Sequence, residues 1–263
     1  MARPAPRILE VLRTEHLTPN MKRVVLGGDT LGDFPEGYES ANFKLLIPRS
    51  GQVINDRRSF MDLPDDERPV VRTYTLRHFD RQRGEVVVDF MMHSDHGPAS
   101  LWADSARRGD KIGFAGPGKP KLVDFDADWF LFAGDMSALP AIAANIERLP
   151  VNAKGYAVLE IMDAQDKQNL PFPDGIQVHW MLNPTPSQSS AKLVDAVIDL
   201  PWLAGSPSVW VAGESSAVRA IRRYLVGERV IDRRRLYSSG YWQIGMTEDV
   251  HQVAKNKDRS RRS

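Results

Sequence analysis

The chain contains no cysteine. Disulfides, dithiol redox chemistry and cysteine-ligated iron–sulfur clusters are therefore excluded, and any electron transfer needs an organic carrier. Long apolar runs are absent as well. The longest clean stretch, Trp129-Phe130-Leu131-Phe132-Ala133, is far too short to span a bilayer. Charge is not biased to one sign: 35 lysines and arginines face 34 aspartates and glutamates, a formal net charge of +1. That balance argues against bulk nucleic-acid binding. Histidines number only six, and the nearest pair, His93 and His96, does not match recognised zinc spacings, so no bound metal is expected. The opening Met1–Arg7 leads into no apolar stretch and does not read as a signal peptide, so the expected location is cytoplasmic.

What is present fits a soluble globular protein, with 42% hydrophobic and 26% charged residues over 263 positions, enough for one or two domains. The first half reads as short strands: Ile8–His16, Met21–Gly28, Asn42–Pro48, Val71–Phe79 and Glu85–Met92. Pro, Gly, Asp and Asn clusters separate them at the spacing of an antiparallel barrel. Gln52–Pro69 reads as a polar loop, Leu101–Arg107 as a helix and Asp110–Ala115 as a last strand before Gly116-Pro117-Gly118. The pattern then changes. Strands at Trp129–Ala133, Gly155–Met162, Ile176–Leu182, Ser208–Ala212 and Arg235–Tyr241 alternate with helices at Ser137–Leu149, Ser190–Leu200 and Ser215–Gly227. Such alternation implies a parallel sheet with crossovers. The expected architecture is an N-terminal β-barrel over residues 1–123 followed by an α/β domain over 124–263. The basic tail from Lys255 reads as a solvated end.

Two segments together read as a flavin site. Arg72-Thr73-Tyr74-Thr75 offers a cation, a flat ring and two hydroxyls within four residues. About twenty residues later, Gly97-Pro98-Ala99-Ser100 forms a glycine turn that opens a helix at Pro98. Helix N-termini carry unpaired N–H groups and partial positive charge, which suit phosphate, and a guanidinium supplies a matching planar donor. Lys44 lies between Phe43 and Leu45, so strand alternation sets it on the opposite face, towards solvent or a ligand.

In the second half, Gly134-Asp135 follows the first strand of the α/β pattern and Gly213-Glu214 ends the fourth. Ligands of open parallel sheets bind beyond such strand ends, so Gly134, Asp135 and Glu214 are candidates to meet a nucleotide. Each has a plainer alternative: an ordinary strand-to-helix turn at Gly134-Asp135, and a helix N-terminal charge at Glu214. Tyr241-Trp242 follows the last strand, as a cover for a flavin face or as a hydrophobic anchor. The arginines from Arg219 to Arg235 read as solvated faces.

Taken in order, these segments resemble the siderophore-interacting proteins, FAD-binding ferric-siderophore reductases related to the ferredoxin reductases. The resemblance spans about residues 5–255. It rests on Phe43-Lys44-Leu45-Leu46, Val71–Arg77, Asp89–His93, Gly97–Ser100 with Trp102, Gly116-Pro117, Ala133-Gly134-Asp135, Trp210–Glu214 and Gly240-Tyr241-Trp242 with Gly245 and Glu248-Asp249. It implies that Arg72 pairs with the FAD pyrophosphate, that Tyr74 lies against the isoalloxazine and that Thr75 bonds near its reactive edge. The backbone through Asp89, Phe90, Met91 and His93 would hold the ribityl chain. Gly97, Pro98, Ala99 and Ser100 would cradle the phosphates. Lys44 and Lys119 would attract an anionic ferric chelate. No residue is implied as a nucleophile or an acid–base catalyst. Gln243 stands where many members carry arginine, which removes one charge from the implied substrate pocket. The electron donor implied is NADH, NADPH or a reduced ferredoxin. A general NAD(P)H:flavoprotein reductase serving a protein acceptor, and a siderophore-binding module without turnover, are the competing readings.

Overall fold

The structure is a computed structural model that describes residues 6–49, 52, 63–64, 67–92, 97–188, 190–247 and 250. His93, His96, Glu248-Asp249, the tail from Lys255 and most of the Gln52–Pro69 loop lie outside these residues. The chain divides into two compact units, Met1–Lys121 with Ala143–Asn145, and Leu122–Ile142 with Ile146–Ser263.

The first unit is a seven-stranded antiparallel sheet. Its strands are β1 (Arg7–Thr18), β2 (Met21–Gly27), β3 (Asn42–Ile47), β4 (Val70–Thr75), β5 (His78–Asp80), β6 (Glu85–Met91) and β7 (Lys111–Ala115). They are ordered β4-β3-β7-β1-β2-β6-β5. Period-2 patterning builds the interior. Phe43, Leu45 and Ile47 of β3 and Val86, Val88 and Phe90 of β6 all turn inward and join one core with Leu9, Val24 and Phe114. The single strand expected over Val71–Phe79 is in fact two, because the chain changes partner midway. Leu76 N–H still bonds Ala41 on the β3 side, whereas Arg77 N–H bonds Val87 of β6. Helix α1 (Pro98–Ser105) begins at the expected proline and ends two residues earlier than the periodicity suggests.

The second unit is a five-stranded parallel sheet of β8 (Trp129–Gly134), β9 (Lys154–Ile161), β10 (Gly175–Leu182), β11 (Pro207–Glu214) and β12 (Leu236–Trp242), ordered β10-β9-β8-β11-β12. β8 lies at its centre and is buried along its whole length, as its unbroken apolar run requires. Trp129, Leu131 and Ala133 pack with Leu193 and Val197 of α3 (Lys192–Ile198) and with Val218, Ile221 and Leu225 of α4 (Ser215–Gly227). Helix α2 (Leu139–Ile146) is shorter than the expected Ser137–Leu149. Turn bonds from Ala138 N–H to Asp135 and from Leu149 N–H to Ile146 replace helix at its two ends. Trp242, just beyond the expected strand end at Tyr241, lies within β12. β9 and β10 build out from β8 on one side and β11 and β12 on the other. The topological switch therefore falls between β8 and β11.

Candidate functional site

The open edge of the first sheet brings the two sequence segments together. β4 is the edge strand, and β6 is laddered to β5 only through Glu85–Val87. β4 and β6 meet instead through side chains, the Tyr74 and Phe90 rings lying 4.4 Å apart at 40°. Phe90 also touches Trp102 of α1, with ring centroids 5.8 Å apart. Ser100 Oγ donates to Met91 O at 3.4 Å, tying the first turn of α1 to the end of β6. A seam thus runs between β4, the end of β6 and the start of α1.

Register decides which side chains share this seam. Tyr74 stands opposite Phe43 and Arg72 opposite Leu45. Directly opposed residues share a face, so Arg72 and Tyr74 lie together on the face that carries the buried Phe43 and Leu45. Thr73 is opposite Lys44 on the other face, and Lys44 Nζ donates to Thr73 Oγ1. The four-residue motif is therefore split: cation and ring on one face, a lysine-bound hydroxyl on the other. Lys44 is half-buried between buried Phe43 and Leu45, as alternation requires. Thr75 is buried beneath the strand end. Lys119 is exposed in the loop after β7, where Gly118 N–H bonds Asn42 O at 2.8 Å.

The Asp89 side chain is already committed. It accepts from Arg23 Nε at 2.7 Å and Nη2 at 2.8 Å, and Arg77 Nε lies 3.8 Å away. Its backbone is the part the resemblance invokes for a ligand. Sequence reasoning missed Arg23, which is distant in the chain and carries no motif, and gave no role to Arg77, which closes the segment Val71–Arg77.

The seam fits FAD. Helix α1 starts at Gly97 with extended backbone, has Pro98 in its first turn and receives no side-chain cap from the described residues. Its first N–H groups therefore point out of the helix end, as an anionic phosphate requires. Arg72 and the half-buried Tyr74 share the face that a linked pyrophosphate and flat ring would need.

In the second unit, Asp135 organises the strand ends. It is buried, and its oxygens accept from Ser137 N–H at 2.9 Å, Ser137 Oγ at 2.5 Å, Glu214 N–H at 2.8 Å and Trp242 Nε1 at 2.8 Å. Burial pushes its carboxyl above the usual range, against the opposing pull of these donors. Gly134 makes room for the close approach of β11, and Gly213 for the clasp itself. A Cβ on Gly134 would lie 2.5 Å from Ala212 O, and one on Gly213, at φ 141°, would meet the Asp135 carboxylate. Glu214 caps α4, accepting from Ser216 N–H at 2.5 Å and Ala217 N–H at 2.9 Å. Trp242 is held by Asp135 and by Ser215 Oγ, which donates to its carbonyl at 2.8 Å.

Glu160, one residue from the end of β9, went unremarked in the sequence. The available signal was a single acid in the apolar run Tyr156–Ile161. Its Oε1 accepts from Asn183 Nδ2 at 2.9 Å. Burial raises its carboxyl, and the charges of Asp135 and Glu214 add to the rise, while Asn183 and Lys192 oppose it. Among the described residues no cluster of His, Cys, Asp and Glu is placed to hold a metal, and no helix is long and apolar enough to cross a membrane.

Residues 10–121 match the family model of the siderophore-interacting FAD-binding domain, and residues 127–245 match that of the siderophore-interacting protein. The chain belongs to the siderophore-interacting protein family. It is 35% identical to the ferric vibriobactin reductase ViuB of Vibrio cholerae, over 94% of this chain and 92% of that protein. It is 30% identical to the NADPH-dependent ferric-chelate reductase of Escherichia coli, over 90% and 92% of the two chains. The crystal structure of the siderophore-interacting protein SipS from Aeromonas hydrophila superposes with a TM-score of 0.84 and 32% identity, covering 97% of this chain and 98% of that one. A ferredoxin–NADP+ reductase from Plasmodium falciparum shares the fold, with a TM-score of 0.64 at 13% identity over 90% and 96% of the chains.

Proposed function

We propose that this protein is a cytoplasmic, FAD-dependent reductase of ferric siderophores or related ferric chelates. In this reading the first unit holds FAD and the second receives a pyridine nucleotide as electron donor. The observation that carries it is the seam where Arg72 and Tyr74 of β4, the end of β6 and the start of α1 converge. That seam lies in the segment matching the siderophore-interacting FAD-binding domain. The relatives named above as ferric reductases support the substrate class.

Bound FAD would supply the conversion between a two-electron donor and a one-electron ferric acceptor. The chain supplies position. Arg72 would pair with the pyrophosphate, and the start of α1 would meet it with the backbone N–H groups of Gly97, Ala99 and Ser100, while Pro98, which has no N–H, sets the turn. Tyr74, braced on Phe90, would present a flat surface to the ring, with Thr75 at its edge. Lys44 would add positive charge beside β4, and Lys119 a second charge on the loop after β7. Gly134, Asp135 and Glu214 would shape the strand ends that face the nucleotide. No step requires a protein nucleophile, because electrons move to an intact chelate and leave ferrous iron weakly held.

Tyr74→Ala is expected to change the absorbance or fluorescence of bound flavin, while Tyr74→Phe keeps most binding. Unchanged spectra in the alanine variant would remove Tyr74 from the flavin. Lys44→Ala is expected to raise the apparent KM for anionic ferric chelates and leave flavin content intact. The effect should shrink with salt, since exposed attraction is screened over about 10 Å at 0.1 M. Equal turnover of anionic and neutral chelates by Lys44→Ala at low salt, with wild-type kinetics, would exclude the substrate role. The reading as a whole is tested by turnover of purified flavoprotein with NADH or NADPH and ferric chelates. Turnover only with a protein acceptor would overturn it.

A further inference from the structure

The strand ends of the second unit supply internal acceptors to several of their own N–H groups. A dinucleotide at an open parallel sheet takes backbone N–H groups at the strand-to-helix turns for its phosphates. Here internal carboxylates take several of those donors. Asp135 accepts from Ser137 and Glu214 N–H, and Glu214 accepts from Ser216 and Ala217 N–H at the start of α4.

Glu160 is placed differently. It stands on β9, one crossover after the Gly134-Asp135 turn, and its neighbour Leu159 is in register with Gly134 at the end of β8. Its Oε1 accepts from Asn183, and no hydrogen bond to its Oε2 is made by the described residues. In sheets of this topology an acid near the end of the second strand accepts from the 2′-hydroxyl of the adenosine ribose, and a 2′-phosphate at the same place needs a cation. Building on the reductase reading, we propose that Glu160 is a specificity-determining residue for the electron donor, selecting NADH against NADPH through the adenosine 2′-position. Oε2 accepts from the 2′-hydroxyl, Asn183 fixes the carboxylate through Oε1, and the charges of Glu160, Asp135 and Glu214 together outweigh the nearby cation, Lys192, against a further phosphate. The Escherichia coli relative is named for NADPH, so this selectivity does not follow from family membership.

The test uses the full FAD-loaded chain and ligands that transfer no hydride. Calorimetric titration with ADP-ribose and with its 2′-phosphate should show the unphosphorylated ligand binding at least about tenfold more tightly. Glu160→Gln keeps an oxygen for Asn183 and removes the charge. It should narrow the gap to about threefold or less, chiefly by improving binding of the phosphorylated ligand. Flavin reduction by NADH and NADPH should follow the same order. Absence of binding by either ligand, preference for the 2′-phosphate, or discrimination unchanged in Glu160→Gln would each overturn the inference. Chemically reduced protein mixed with a ferric chelate keeps the two readings apart. Flavin reoxidation there upholds the reductase reading even if the nucleotide result fails, and its absence defeats that reading whatever the nucleotides do.

Discussion

Asp135→Ala is expected to destabilise the second unit by about 2–4 kcal/mol, read as a lowered denaturant midpoint. The substitution leaves Ser137 N–H, Ser137 Oγ, Glu214 N–H and Trp242 Nε1 without their shared acceptor. Each unsatisfied buried donor costs about 1–3 kcal/mol, and relief of the buried carboxylate returns part of the total. Asp135→Asn should rescue little, because its amide turns a donor towards donors on one side. The pH dependence has a definite sign. A folded-state pKa raised above the ordinary 3.8 makes this group's contribution complete below that value and lost as pH rises through the raised one. The gap between the wild-type chain and Asp135→Asn should therefore narrow as pH climbs from about 4. An Asp135→Ala variant as stable as the parent would show that the clasp does not hold these strand ends.

Arg72→Ala is expected to weaken FAD retention by about 1.5–3 kcal/mol, the scale of a charge-assisted hydrogen bond and roughly a ten- to hundredfold rise in Kd. Arg72 shares a face with Tyr74 and belongs to the edge strand of the seam. Its loss should leave the core intact, since Phe43, Leu45 and Phe90 keep their packing. Flavin release during dialysis separates the outcomes: unchanged retention removes Arg72 from the cofactor site. Identification of the released flavin as FMN would remove the pyrophosphate it is assigned to hold.

The strands of the first unit were legible because β3 alternates and β6 carries a run of valines, and β8 because its apolar run leaves no polar face. The break at Leu76-Arg77 was not legible. It arises from a change of hydrogen-bond partner, which local patterning does not encode. Arg72, Tyr74 and the glycine turn could be read as a site because each offers its chemistry locally. The split of Arg72-Thr73-Tyr74-Thr75 over two faces was implicit in strand alternation, but pairing with β3 was needed to show that Lys44 binds the Thr73 hydroxyl. At Asp135 and Glu214 local chemistry suggested a ligand, and the structure supplies internal partners from residues as distant as Trp242. Glu160 escaped notice because one acid near a strand end gains meaning only from its register beside β8.

The central claim is that FAD held by the first unit passes electrons to ferric chelates. The most direct test reduces the FAD-loaded protein with dithionite without oxygen, removes excess reductant and mixes it rapidly with a ferric siderophore and a ferrous-specific chromophore. The account predicts return of the oxidised flavin band, with about two ferrous ions trapped per flavin. A flavin that stays bound and reduced while no ferrous signal forms, with chelates of either charge, would contradict it.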